Sequence, residues 1–248
     1  MKVQRLGWAG AKITTANRTI LIDAVENFSN GKYFVIDNPD ASYRFSHEEK
    51  ADYIMITHIH KDHYDKDLIL KMLKPDGKII ASSSFADILK EDGLTQILSL
   101  ELDEPFTDGK VSITPVFAMD GIGEKQVSWV VEHGNHRILH GGDTIWHNQF
   151  WAIGKKYQSF NAVLLPVNGT IMRFVKPASP VPGTLTPLQA VTAAHILNAA
   201  TLIPIHYGFN KPGVYEEYPD VVGNLKTAAS EQSVDISFLK AGEAMEWN

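Results

Sequence analysis

Short apolar runs broken by polar turns dominate the chain, and their spacing predicts many strands and a few helices. Residues Ala51 to Thr57 (Ala-Asp-Tyr-Ile-Met-Ile-Thr) form such a run, rich in β-branched members, and read as a buried strand over Tyr53–Thr57. Comparable runs place strands near Val3–Leu6, Lys12–Thr15, Thr19–Asp23, Lys78–Ala81, Ile97–Leu100 and Val111–Phe117. Others fall near Ser128–Glu132, Arg137–His140, Ala162–Pro166, Leu202–Ile205 and Ile236–Leu239. Between them, Leu68, Ile69, Met72 and Leu73 recur at helical spacing behind Asp65, a residue type that caps helix N-termini, and Pro75-Asp76-Gly77 is expected to stop that helix. Ser84 is expected to cap a helix ending near Gly93. Thr186-Pro187-Leu188-Gln189 combines an N-cap, a proline at the first helical position and a capping-box glutamine. A last helix is expected after Tyr218-Pro219.

Composition agrees with one globular domain spanning residues 1–248. The chain has 248 residues, 44% of them hydrophobic and 21% charged, enough to bury a large core without disordered or repeated segments. A formal charge of −6 argues against a broad phosphate-backbone footprint, so nucleic acid is not expected as a partner. No cysteine occurs, which excludes disulfides and leaves nitrogen and oxygen as metal donors. The N-terminal Met1-Lys2-Val3-Gln4-Arg5 lacks a signal-peptide apolar core, and no stretch approaches the ~20 apolar residues of a membrane span. A cytoplasmic location is therefore expected.

The segment Thr57-His58-Ile59-His60-Lys61-Asp62-His63 changes the picture most, because three imidazoles and a carboxylate follow the predicted strand directly. Neutral imidazole and carboxylate are donors for borderline ions such as zinc, at roughly 2.0–2.2 Å. The alternate spacing of His58 and His60 lets an extended strand end aim both rings the same way. The competing reading is a solvated polar turn after a buried strand.

With this motif the chain resembles the metallo-β-lactamase superfamily, whose signature is T-H-x-H-x-D-H at a strand end. The resemblance spans nearly the whole chain. Leu6-Gly7-Trp8-Ala9-Gly10 followed by Thr19-Ile20-Leu21-Ile22-Asp23 is similar to the family's opening hairpin, His140-Gly141-Gly142-Asp143-Thr144 to its G-D-T motif, and Ile203-Pro204-Ile205-His206-Tyr207-Gly208 to its closing histidine. Within the superfamily it most resembles the ascorbate-6-phosphate lactonase-like and N-acylphosphatidylethanolamine phospholipase D-like groups. The grounds are the wording around Pro166, the Leu185 to Ala190 helix start and the Pro-Ile-His-Tyr-Gly ending. The resemblance implies an α/β fold, the four-layer αββα sandwich, and substrates that are lactones, phosphorylated sugars or phosphodiesters.

It also implies the ligands. His58 and His60 would belong to one metal, Asp62 and His63 to a second, with Asp143 bridging both and His206 completing the second site. The first metal normally gains a third histidine after the strand that here reads Val111–Phe117, yet this chain continues Ala118-Met119-Asp120-Gly121. Asp120 is the best substitute, the other reading being an ordinary turn aspartate; the Met119 thioether suits copper(I) better than zinc. His133 and His136 flank Gly134-Asn135, a hairpin-turn signal, and are expected on the surface about 15–20 Å from Asp143. His140 is expected to be a packed or hydrogen-bonded core histidine that can orient the Asp143 loop. His47 and His195 read as structural.

The expected cofactor is zinc, one or two ions, with manganese or iron as alternatives. Zinc can lower the pKa of its water to about 7 and a second ion can polarise the scissile bond, so no protein nucleophile is needed. The expected function is a hydrolase acting on an ester, lactone or phosphodiester of a small molecule, with Asp143 central and Asp62 able to double as proton acceptor. The alternative, prompted by the absent third histidine, is a metal-binding relative with lost catalysis acting as a sensor or scaffold. An iron-dependent redox relative is less attractive, since it commonly needs a partner cofactor domain for which the chain has no room. Arg173 and Lys176, in the loop before the Thr186 helix, and His147 are the candidate substrate contacts, with solvated surface charge as the bland reading of the two cations. The aromatic-rich stretch from Asn27 to Arg44, containing Phe28, Tyr33, Phe34 and Tyr43, is expected to cover the site, mediate homo-oligomer contact or pack on itself.

Overall fold

In the computed structural model, which describes residues 1–28 and 43–248, the apolar runs assemble into two seven-stranded sheets. Tyr33 and Phe34 lie outside the described residues. The first sheet contains β1 (Lys2–Gly7), β2 (Gly10–Thr14), β3 (Thr19–Ile22), β4 (Ala51–Met55), β5 (Leu73–Ser82) and β6 (Ile97–Leu100) in that order. The second begins at one edge with β7 (Phe106–Asp108), β8 (Val111–Phe117), β9 (Val127–His133) and β10 (His136–His140), and continues through β11 (Ala162–Pro166). A short ribbon pairs β12 (Ile171–Met172) with a later strand; β13 (Thr201–Ile205) then joins the second sheet beside β11, β14 (Tyr215–Glu216) is the partner of β12, β15 (Asp235–Ile236) closes the second sheet, and β16 (Ala244–Glu246) returns to the first beside β1.

Side-chain alternation sets the layering. Along β11, Ala162 and Leu164 join the core shared with the first sheet, while Val163 and Leu165 join a second core with the helices. The same period of two sends Trp129, Val131 and Ile203 inward and Val130 and Leu202 outward. Both faces are apolar because both are covered, the condition for parallel strands such as β10, β11 and β13. Helices α1 (Lys66–Met72) and α2 (Ala86–Glu91) contribute Leu68, Ile69, Met72 and Leu89 to the core of the first sheet. Helices α3 (Gln149–Tyr157), α4 (Pro187–Ile196) and α5 (Val221–Gln232) contribute Ile153, Val191 and Leu225 to the other. The result is the expected αββα sandwich.

Helix starts follow the predicted capping with one exception. Asp65 Oδ1 accepts the Leu68 amide at 3.1 Å, and Thr186 with Gln189 forms the complete capping box at α4. Ser84 does not cap α2: its hydroxyl is bonded to Ser82 Oγ at 2.9 Å, and Phe85 occupies the N-cap without a side-chain bond. Nor does Pro75-Asp76-Gly77 stop α1. The helix has already ended, and these residues lie within β5, where pairing jumps from Ala51–Leu73 to Tyr53–Lys78. The strands β7, β12, β14 and β16 are too short to show a period in sequence. His133 and His136 face each other across the expected hairpin turn, and His47 and His195 are exposed.

This topology collects one set of strand ends. Strands β1, β3 and β4 run in one direction in the first sheet, as do β8, β10, β11 and β13 in the second. Beyond their C-termini stand Trp8, Asp23, the His58 to His63 segment, Asp120, Asp143, Asn168 and His206. The Trp129 indole donates to the Ile56 carbonyl at 2.9 Å and the Val127 amide to the Thr57 carbonyl at 3.1 Å, which ties the two sheets together at that edge.

Candidate metal centre

Asp62, His63, Asp143 and His206, all buried, bring one donor atom each within 4.8 Å of one another and could hold an ion. His206 Nε2 lies 2.9 Å from Asp143 Oδ2 and 3.4 Å from Asp62 Oδ2. His63 Nε2 lies 3.0 Å from Asp143 Oδ1, yet neither atom is in a hydrogen bond, and Asp62 Oδ1 is also buried without one. Buried polar atoms are nearly always paired, so inward-facing orphans at one point fit a cation better than an empty core.

The other edges of these rings are held from behind. Asp23 accepts three bonds: from the Thr57 amide at 2.8 Å, the Thr57 hydroxyl at 2.6 Å and His63 Nδ1 at 2.8 Å. That last bond keeps a proton on His63 Nδ1 and turns Nε2 towards the cluster, where an ion would replace its second proton. His58 Nδ1 is similarly 2.9 Å from the Thr57 hydroxyl, and His206 Nδ1 is 3.4 Å from Asn168 Oδ1. The Trp8 indole donates to Asp62 Oδ2 at 3.0 Å, and the Trp8 carbonyl accepts the His206 amide at 3.0 Å. Asp23, His58 and His63 are also close enough to hold an ion, but the carboxylate of Asp23 is already saturated by these bonds. None of Asp23, Trp8 or Asn168 was expected at the site from sequence; a carboxylate ending the apolar run Thr19–Ile22 was the available signal for the first.

His58, His60 and Asp120 form a second group of potential donors. His58 Nε2 approaches His60 Nδ1 at 2.9 Å and lies 3.9 Å from Asp143 Oδ2, so Asp143 stands between the two groups. Asp120 is the carboxylate of this group. Its Oδ1 accepts the amides of Ile122 at 2.8 Å and Glu124 at 3.1 Å, which turns Oδ2 towards His60 Nδ1 at 3.9 Å. Asp120 is thus both a turn aspartate and a member of the cluster. Met119 is 43% exposed and outside it.

The loop carrying Asp143 is shaped by two contacts. Gly142 has φ +59°, and a Cβ there would meet the Thr57 hydroxyl at 2.8 Å, so only glycine lets this loop close on the histidine segment. His140, fully buried, faces the Ala9 carbonyl through Nε2 at 2.7 Å and accepts the Gly142 amide through Nδ1 at 3.2 Å. It is the hydrogen-bonded core histidine expected, and its bond to Gly142 lies at the start of the Asp143 loop.

Electrostatics at the centre reflect crowding of opposite charges. Burial opposes ionisation of Asp143, but His206 and His63 outweigh it and hold the carboxyl well below its usual range. Asp62 is lowered in the same way, chiefly by His63 against the burial penalty. For His63, burial opposes the charge while Asp143, Asp62 and Asp23 raise the ring well above its usual value. His58 is pushed down to about 3 by burial and by His63, and so stays neutral with a free lone pair. A dication would supply the positive charge that protonated imidazoles otherwise bring to these carboxylates.

A cavity of about 420 Å³ opens on this centre, reaching Asp62, Asp143 and His206. The expected substrate contacts do not line it. Arg173 is exposed and donates to Glu216 Oε2 at 2.9 and 3.0 Å, and Lys176 Nζ donates to the Arg173 carbonyl at 3.3 Å. Arg173 lies in the turn after β12, where Met172, Phe174 and Val175 line the cavity and its own side chain does not. His147 is buried, stacked on Phe150 at 3.9 Å and edge-on to Phe117 at 5.1 Å, with neither ring nitrogen hydrogen-bonded. It is a packed histidine, not a wall of the cavity.

The beta-lactamase superfamily domain matches this chain over residues 18–207. A metal-dependent hydrolase of Thermococcus onnurineus is 28% identical over 255 residues, with 99% of each chain covered. Among solved structures, a metallo hydrolase of Ignicoccus hospitalis superposes with a TM-score of 0.74 at 18% identity, covering 100% of this chain and 99% of that one. An isothiocyanate hydrolase from Delia radicum gut bacteria gives 0.75 at 17% identity, covering 100% and 99%. At these identities the two structures bear on the fold alone.

Proposed function

The chain belongs to the beta-lactamase superfamily, and from that premise we propose that it is a metal-dependent hydrolase. Asp62, His63, Asp143 and His206 would hold one ion, and His58, His60 and Asp120, with Asp143 between the two groups, would hold a second. The observation that carries this reading is the pair of buried, unpaired atoms His63 Nε2 and Asp143 Oδ1, 3.0 Å apart and brought from two loops, with Asp62 Oδ2 at 3.6 Å from the same nitrogen. Four imidazoles and three carboxylates suit zinc, with manganese or iron as the other candidates for an N/O donor set.

A divalent ion bound there supplies Lewis acidity, polarising a scissile carbonyl or phosphoryl oxygen and bringing the pKa of water near neutrality. The residues do the rest. Asp23 and Thr57 fix the rotation and tautomer of His63 and His58, so no donor must reorganise during turnover. Trp8 holds Asp62 Oδ2 beside His206, and the Asp62 carboxylate would accept the proton that the attacking water gives up. One water is consumed: its oxygen joins the acyl carbon or phosphorus, and its proton ends on the departing oxygen.

Asp120 in the position of the missing histidine favours this reading over a catalytically silent sensor or scaffold. The test is elemental analysis of protein supplemented with zinc or manganese, followed by assay against esters, lactones and phosphodiesters. Bound metal with turnover abolished in Asp143→Ala is expected; no bound transition metal, or turnover that survives Asp143→Ala, rejects the proposal.

A further inference from the structure

The cavity beside the centre is apolar in a way the metal chemistry does not require. Apart from the polar cluster, its wall is mostly Ile59, Ile122, Met172, Phe174, Val175 and Tyr215, with Lys61, Thr170, Gly183 and Thr184 between them. Much of this surface is incompletely covered: Ile122 is 41% exposed, and Ile59, Met172, Phe174 and Val175 are half-buried. The ribbon of β12 and β14 sets two of these positions, pairing Met172 with Tyr215 so that both present side chains to the cavity. Beside Met172, whose methyl would lie 2.1 Å from a Cβ on Gly183, Gly121 approaches the Gly183 backbone so closely that its own Cβ would lie 2.2 Å from the Gly183 carbonyl oxygen. The Asp120 loop and the loop ending at Gly183 are thereby clamped into one wall.

Polar recognition is scarce on that wall. Among the described residues lining it, Lys61 is the one fixed cation; it is exposed at the rim, with Nζ 5.2 Å above the Tyr64 ring. The Thr184 hydroxyl donates to Asn168 Oδ1 at 2.6 Å, and the Tyr215 hydroxyl accepts from Asn168 Nδ2 at 2.7 Å, so both already serve the network behind His206. A phosphoryl group away from the scissile bond would meet the single Lys61 ammonium at the rim, with no guanidinium fork, and would sit near three carboxylates. Sugar hydroxyls would find the buried Thr170 hydroxyl but few other partners for the water they lose. An alkyl or aryl group would cover the exposed apolar wall.

We propose that the substrate carries an uncharged apolar acyl or alkyl group, seated against Ile59, Ile122, Met172, Phe174 and Val175 with its scissile bond at the Asp62, Asp143 and His206 end. The proposal rests on the hydrolase reading for the reaction but not for the pocket, and the two are tested by separate readouts. Calorimetry on metal-supplemented protein measures binding of straight-chain alkyl hydroxamates from acetyl to octanoyl, with glucose 6-phosphate for comparison. Hydrolysis of p-nitrophenyl esters over the same chain lengths is assayed in parallel. Affinity is expected to rise about two- to fourfold per methylene until the cavity is full. Val175→Asp, or Phe174→Ala if the first variant misfolds, should flatten that slope while metal content stays unchanged. A flat or falling series, or tighter binding of glucose 6-phosphate than of the hexanoyl hydroxamate, overturns the proposal. A rising hydroxamate series with no ester turnover supports the pocket and counts against the hydrolase reading alone.

Discussion

At the residue scale, Asp23 organises the centre without facing it. Its carboxylate accepts from Thr57 twice and from His63 once, fully buried, so its charge fixes which nitrogen of His63 is left for an ion. Asp23→Asn preserves the shape but weakens the charge-assisted bonds. Metal affinity, measured by chelator competition, is expected to fall about 10–100-fold with little change in far-UV circular dichroism. An unchanged affinity would assign Asp23 a purely structural role. Asp120 makes a different prediction, because it belongs to one group of donors: Asp120→Ala should remove one equivalent of metal and leave the other, whereas His206→Ala should empty the opposite position. Unaltered stoichiometry in Asp120→Ala would return Asp120 to its turn. His147 carries the pH prediction. Burial lowers its ring to about 4 from an unfolded value near 6.5, so the folded state binds fewer protons between those values and loses stability as pH falls through them. His147→Phe keeps the stack on Phe150 and should remove roughly 1–2 kcal/mol of that loss between pH 7 and pH 4, read from denaturant unfolding. Parallel wild-type and variant profiles would exclude this contribution.

At the element scale, ligands and scaffold separate cleanly. Helix α4 precedes β13, whose end delivers His206, and it is started by the Thr186–Gln189 capping box, whose hydrogen bonds go to none of the donors. Thr186→Ala is expected to cost about 1 kcal/mol of stability in equilibrium unfolding. Because the cap touches no donor, metal stoichiometry should hold, and a lost equivalent would show that the helix start and the centre are coupled. The elements missed or misread in sequence share one cause. The ribbon of Ile171–Met172 and Tyr215–Glu216 is two residues long on each side, and Pro75-Asp76-Gly77 resembles a helix stop but serves as an irregularity in β5. Both are stabilised by partners distant in sequence, which no local pattern contains.

At the scale of the whole molecule, the centre sits where loops from both sheets meet, so an ion held there cross-links the sandwich. Metal that binds only the folded chain stabilises it by about 2.7 kcal/mol at a hundredfold excess over Kd. For a chain of 248 residues that corresponds to a Tm rise of roughly 5–10 °C, checked by thermal unfolding with and without zinc or manganese and reversed by chelation. No shift with any of these metals would mean that the inward-facing donors are satisfied without an ion. No helix among the described residues is long and apolar enough to cross a membrane.

Much of this was legible in the linear chain. The strand runs, the Asp65 and Thr186 caps and the spacing of His58, His60, Asp62 and His63 are local, and local chemistry is what residue order records. The likeness of four separated motifs to one superfamily carried the order of the layers and the membership of Asp143 and His206. Tertiary structure decided what depends on approach between distant segments. It turned Asp120 towards His60, placed Asp23 and Trp8 behind His63 and Asp62, and pointed Arg173 at Glu216 instead of the cavity. The apolar wall had no signature at all, because Ile59, Ile122, Met172 and Tyr215 lie on four separate segments and become one surface only when the two sheets bring their strand ends to a common edge.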